Sequence, residues 1–229
     1  MQSLVERLAE VYTSQHGHVS FDVDARGSRL GLEALRDGMV DIALVSRDLT
    51  ADEMEGLTAV VVAYDALAVL VNDENPVESL TLGQVRDIFS GRTLLWSEVG
   101  GEEAEIQVLS REDGSGTRQA FERSVMGEDG VTTAAIVIPG SEFVAQFVAE
   151  DPLSIGYASS VAVSPGSRAV QIEGVRPGLQ ETAEGRYALI RPFILVTGDS
   201  PDEEVEAFVD FVRGPTGQEI VGERHGKAR

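Results

Sequence analysis

"AVVVAYDALAVLVN", residues 59 to 72, is a nearly unbroken apolar, β-branched run in which only Tyr64 and Asp65 interrupt. An ordinary strand has about five or six residues. This run therefore reads either as two strands or as one strand that crosses from one domain to another. The elements around it alternate between strand and helix. That makes the class α/β and suggests two lobes facing each other across a cleft, each a mostly parallel sheet flanked by helices. The division expected is residues 1–65 with 165–229 in lobe I and 66–164 in lobe II.

Upstream, Leu4, Leu8, Val11 and Tyr12 recur at helical spacing, which predicts an amphipathic helix over 2–15. "VSFDVDA" (19–25) alternates as a strand, "LEALRDG" is a short helix closed by Gly38, and "VDIALVS" is a second strand. Together these read as a βαβ unit with parallel strands. Downstream, "TLGQVRDIFSG" is a helix capped by Thr81 and ended by Gly91. "IQVLS" is a strand, "TRQAFERSVM" a helix, "EFVAQFVAEDP" a helix, and "SIGYASSVAV" and "RPFILVTG" are buried strands. Two final helices are split at Gly214 and Pro215.

Composition narrows the function. The formal charge of -21 comes from 39 acidic against 18 basic residues, and Lys227 is the only lysine. Such a field repels polyanions, so no nucleic-acid partner is expected. An anion site in this chain has to be built locally, from aimed dipoles and a buried arginine. There is no cysteine, which removes disulfides, thiolate catalysis and cysteine-held metals. No apolar run is long enough to span a bilayer. The first residues lack the basic start, apolar core and small-residue cleavage site of a secretory signal.

"LSREDGSGTRQAFE" (109–122) supplies such a site. Gly114 and Gly116 permit a turn whose amides converge as a nest. The helix entered at Thr117 adds unpaired N–H groups and the positive end of its dipole. Ser115 and Thr117 bring hydroxyls, Arg111 a planar fork for two oxygens of a tetrahedral anion, and Asp113 a carboxylate placed to orient that fork. "ARGSRLG" (25–31) repeats the glycine-flanked serine at a helix start, offering Ser28. "LVSRDL" ends a strand with Ser46 and Arg47, where open α/β sheets hold ligands. A nucleotide P-loop is excluded, because its lysine is absent from either turn. No metal site is expected: His16, His18 and His225 lie near the chain ends in polar stretches. Trp96 reads as a packing anchor.

Six stretches carry a family resemblance, in order and spacing: "DGMVDIALVSRDLT", "NPVESLTLGQVRDIFSGRTLLWSEVGG", "SREDGSGTRQAFE", "SIGYAS", "YALIRPFILVT" and "FVDFVRGPTGQEIV". They resemble the PstS-type phosphate-binding proteins of ABC transporters. The resemblance implies a two-lobed periplasmic-binding-protein fold of type II that closes by a hinge on one dehydrated phosphate, with no cofactor and no catalysis. Carried over by motif, Arg111, Ser115, Gly116 and Thr117 hold the anion from one lobe, with Asp113 orienting Arg111 and Ser28 donating from the other. Many relatives have an aspartate after the serine equivalent to Ser46, and here Arg47 stands in that place. The partners implied are inorganic phosphate and the permease and ATPase subunits in the membrane, and the location implied is extracytoplasmic. The family opens with a strand and a Gly-Ser-Thr-Thr type turn, whereas this sequence starts on the helix that follows. The first strand and first phosphate-binding turn are therefore expected to be missing from it. Two or three lost hydrogen bonds at about 1.5–3 kcal/mol each would weaken binding by several orders of magnitude.

Two other readings stand beside phosphate import. One is an oxyanion-sensing or degenerate binding protein no longer used in transport. The other, ranked last, is a phosphatase acting through Ser115 or Asp113, for which no general base or metal cluster is in place.

Overall fold

The apolar run at residue 59 forms one continuous strand. In the computed structural model, which describes residues 1–228, Leu57–Asn72 is extended from end to end. In chain order the elements are α1 (Gln2–Gln15), α2 (Ser28–Arg36), β1 (Ala43–Val45), β2 (Leu57–Asn72), β3 (Ser79–Leu80), α3 (Leu82–Ser90), β4 (Gln107–Arg111), α4 (Gly116–Phe121) and β5 (Ile136–Ile138). There follow α5 (Ser141–Glu150), β6 (Ser154–Ser159), β7 (Ser167–Ala169), β8 (Gln171–Ile172), α6 (Leu179–Ala183), β9 (Ile190–Gly198), α7 (Glu203–Arg213), α8 (Pro215–Gly222) and β10 (Gly226–Lys227).

The chain makes two compact units. The first holds Met1–Asp65, Gly114–Gly116 and the chain from Arg191 onward; the second holds Ala66–Asp113 and Thr117–Ile190. Residues 165–190, expected in the first lobe, belong to the second unit. The reason is strand pairing: β7 lies antiparallel to the second half of β2, with Leu70 opposite Ala169, and β8 runs parallel to β3.

In the first unit, β1 pairs antiparallel with β9, Leu44 opposite Leu195. β10 pairs antiparallel with the first half of β2, Gly226 opposite Tyr64. Leu4, Leu8 and Tyr12 of α1 pack with Phe208, Val212 and Val221 of α7 and α8 over Val62, Phe193 and Leu195. Residues 19–25, expected as a strand, form no ladder among the described residues. Their alternation survives only as burial, with Val19, Phe21 and Val23 half-buried against that core and Ser20, Asp22 and Asp24 exposed. A period of two reports which side chains face inward, but a strand also needs a neighbour's backbone groups. The parallel βαβ unit expected there is accordingly replaced by an antiparallel β1–β9 pair.

A buried charge cluster sits on β2 and β9 of this unit. Arg191 donates from Nε and Nη2 to Asp65 Oδ2 at 2.9 and 2.8 Å. His225 Nε2 stands 3.9 Å from Asp65 Oδ1, and neither ring nitrogen of His225 has a hydrogen-bond partner among the described residues. Burial pushes the His225 pKa down to about 4, against a smaller upward pull from Asp65.

In the second unit, β6 lies between β2 and β4. It is antiparallel to β2 (Val69 opposite Tyr157) and parallel to β4 (Val108 opposite Ile155), and β4 is parallel to β5 (Leu109 opposite Ile136). The sheet is thus mixed rather than mostly parallel. α3 has the expected ends: a capping box between Thr81 and Gln84, and Gly91 in the left-handed region at φ 79. Trp96 is the expected anchor, fully buried with Nε1 donating to the Leu153 carbonyl at 2.9 Å. It shares its core with Phe89, Phe121 and Tyr157.

Candidate functional site

In the first unit, α2 starts on a glycine that only a glycine can be. Gly27 has φ 103 and ψ 160, outside the range open to other residues, and hands directly to Ser28 as the first helical residue. Ser46 follows the end of β1. Its N–H donates to Ser28 Oγ at 3.1 Å, and the two hydroxyl oxygens are 3.5 Å apart. The segment Gly114–Gly116 reaches this pair. The Arg29 N–H points at the Gly114 carbonyl at 3.4 Å. A Cβ placed on Gly116 would lie 2.1 Å from Ser28 Oγ and 2.4 Å from Ser46 Oγ, and one on Gly27 would lie 2.7 Å from the Gly114 carbonyl oxygen. Two glycines are therefore fixed by contact, and they bring two hydroxyls against the start of α4. Ser28 and Ser115 are both buried.

In the second unit, Arg111 ends β4 and is itself buried. Its Nε and Nη2 each donate to Glu112 at 2.8 Å. Its Nη1 meets Ser141 Oγ at 3.3 Å. Ser141 opens α5 behind Gly140, which has φ 89 and ψ 147, the same device that opens α2. Burial raises the Glu112 pKa, but the hydrogen bond and charge of Arg111 outweigh it, helped by the Gly140 N–H, and hold the carboxyl below its ordinary value. At the other end of the turn, Arg118 of α4 donates from Nη1 to the Arg111 carbonyl at 3.1 Å and to Asp113 at 2.8 Å, and from Nε to Glu122 at 2.8 Å.

Ser28, Ser46 and Gly116 are thus brought together. Ser115 is buried inside the same segment, and Arg111 and Thr117 are buried in the second unit. One expectation is corrected. Asp113 does not orient Arg111; it pairs with Arg118 and its side chain is 90% exposed. Glu112 takes that role, because the start of α5 draws its carboxylate back beside the guanidinium. Arg47, expected as a ligand residue, directs Nη1 and Nη2 into a fork on Glu53 at 2.8 and 2.6 Å. That hydrogen bond holds the Glu53 pKa down at about 2. Glu112 and Ser141 were missed in the sequence, although "PGSEF" at 139–143 repeats the Gly-Ser helix start of "RGSRL".

No group of three His, Cys, Asp or Glu side chains among the described residues could hold a metal ion. His16 stacks on Tyr12, ring centroids 4.0 Å apart. No described helix is long and apolar enough to cross a membrane.

Residues 1–215 match a family model described as a PBP superfamily domain. Among solved structures, the chain is similar to a candidate phosphate ABC transporter substrate-binding protein with bound phosphate from Clostridium perfringens. That likeness is 34% identical with a TM-score of 0.95, over 100% of this chain and 96% of that one. It is similar to an ABC-type phosphate transport receptor from Vibrio cholerae, 31% identical with a TM-score of 0.85, over 99% of this chain and 96% of that one. Among curated proteins, it is 28% identical to the phosphate-binding protein PstS of Borreliella burgdorferi over 226 residues, 93% of this chain and 81% of that protein.

Proposed function

The chain belongs to the PBP superfamily, among its PstS-type phosphate-binding proteins, and on that footing we propose that it binds inorganic phosphate as the extracytoplasmic substrate-binding component of an ABC importer. Its partners are then a membrane permease and its ATPase. Binding is the whole activity, and the ligand leaves unchanged.

The observation that carries this reading is the convergence of Ser28 and Ser46 on Gly116. Two hydroxyls and the amides of a glycine turn in one place suit an anion that presents oxygens in several directions. We assign Ser28, Ser46, Ser115, Gly116, Thr117 and Arg111 as the ligand set. Arg111 approaches the anion by its Nη edge, since Glu112 holds the Nε side. Arg47 is assigned to bracing the end of β1 through Glu53. Selectivity follows from matching every oxygen of the correct anion with a donor in a site shielded from water.

Isothermal titration of the full chain with phosphate and sulfate tests this. Heat from phosphate, unchanged by excess sulfate, is expected. Heat from sulfate with none from phosphate would refute it.

A further inference from the structure

Tyr157 lies in "SIGYAS", a stretch that marks the family but contributes nothing to the ligand set above. Its ring is inaccessible to solvent, so its hydroxyl needs a partner. It finds two at the end of β4: Ser110 Oγ at 2.9 Å, and the Arg111 N–H, which donates to the phenol oxygen at 3.3 Å. Burial raises the Tyr157 pKa, so the group stays a neutral phenol. Its ring stacks on Phe121 with centroids 4.0 Å apart and planes 5° apart. Phe89 closes the cluster, 4.6 Å from Phe121 and 5.6 Å from Tyr157.

Those contacts fall on both sides of the glycine turn. Ser110 and Arg111 lead into it, and Phe121 ends α4, the helix that leaves it. One side chain grips the entry by a hydrogen bond and the exit by a stacked face. The guanidinium of Arg111 is held at its tip by Glu112 and Ser141. Where that tip can stand depends on how its backbone is tilted, and a long side chain amplifies a small tilt.

We infer that Tyr157 is a positioning residue for oxyanion recognition: through its hydroxyl it fixes the backbone of Arg111, and so the place at which the guanidinium meets the anion, without touching the anion. The inference rests on the phosphate-binding reading for its effect on affinity, though not for its effect on Arg111. Tyr157→Phe separates the hydroxyl from the ring, because it keeps the stack on Phe121 and removes only the two polar contacts.

The test uses the full chain, unsubstituted and as Tyr157→Phe, Arg111→Lys and the double variant, with phosphate calorimetry and the Arg111 Nε–Hε resonance of the ligand-free protein. Tyr157→Phe is expected to weaken phosphate binding roughly tenfold, the scale of a sub-ångström misplacement, and to shift the Arg111 resonance. In the Arg111→Lys background the same change is expected to cost less than about twofold, as coupled residues require. A merely structural tyrosine would lower the melting temperature and leave affinity and resonance where they were. Unchanged affinity, an equal loss in the Arg111→Lys background, or an unmoved resonance would each overturn the inference. If Arg111→Lys binds too weakly to titrate, the resonance decides. Absence of phosphate heat from the unsubstituted chain would defeat the phosphate reading alone, since the ligand-free resonance still tests Tyr157.

Discussion

Gly116→Ala is the substitution for which the geometry gives the clearest separation between stability and binding. Gly116 opens α4 and has no left-handed backbone to protect, so its restriction comes from space. A Cβ there meets Ser28 Oγ at 2.1 Å, Ser46 Oγ at 2.4 Å and Ser28 Cβ at 3.1 Å. Both hydroxyls have to rotate away and the Ser28 Cβ has to yield, which breaks the bond from the Ser46 N–H. Overpacking of this kind costs about 1–3 kcal/mol, and alanine returns about 0.5–1 kcal/mol through its better helix propensity, leaving a net stability loss of at most about 2.5 kcal/mol. The loss in binding is larger. Two hydroxyl donors to a charged oxygen contribute about 1.5–3 kcal/mol each, so phosphate affinity is expected to fall about a hundred- to ten-thousandfold. Calorimetry with phosphate measures the second effect and urea unfolding the first. Gly17→Ala, with no heavy atom within 4 Å of its Cβ, is the control expected to change neither. Native phosphate affinity in Gly116→Ala would refute the assignment of Ser28 and Ser46 as donors.

Three further outcomes are expected. Arg191→Met strands the buried Asp65 carboxylate and should cost about 3–5 kcal/mol in urea unfolding, while the double change with Asp65→Leu should recover much of it; a single variant as stable as the parent would contradict the burial of that pair. His225 is a base whose folded pKa, about 4, lies below its ordinary 6.5, so the unfolded chain binds the extra proton between those values. Stability should therefore fall as pH drops through that window, by at most about 3 kcal/mol, and the difference between the parent and His225→Phe should shrink or reverse there; parallel pH profiles would show that the imidazole is not desolvated. Gly27→Ala demands φ near 103 of an alanine and sets its Cβ 2.7 Å from a backbone oxygen; both stability and phosphate binding should drop, and a melting temperature equal to the parent's would show that the Gly27–Gly114 approach is not tight.

The parts of the fold set by neighbouring residues could be read from the sequence. Thr81 and Gln84 cap α3 across three positions, Gly91 ends it, and Gly214 with Pro215 splits the last two helices. The apolar run at 59 allows either two strands or one crossing strand, and its unbroken extension from Leu57 to Asn72 resolves it as one. What escaped depends on partners far away or on a choice between equals. Residues 19–25 alternate correctly but have no ladder. Residues 165–190 join the second unit because β7 finds β2 almost a hundred positions back. Asp65 and Arg191 pair across 126 positions, and nothing local marks either as buried. Next to Arg111, two acids compete within two residues, and spacing alone could not decide that Glu112 would win. His225 sits among polar neighbours in sequence yet its ring lies tilted against Phe193, 5.3 Å between centroids.

The first unit is assembled from stretches far apart in the sequence, and this sets an order of events in folding. The second unit needs only residues between Ala66 and Ile190. The first needs more: α1 waits for α7 and α8 to cover its Leu4–Leu8–Tyr12 face, and β1 waits for β9. Until those elements dock, α1 carries an uncovered apolar face. Loop-closure entropy has to be met before contacts this far apart in sequence reward it, so the first unit is the slower of the two to complete its core.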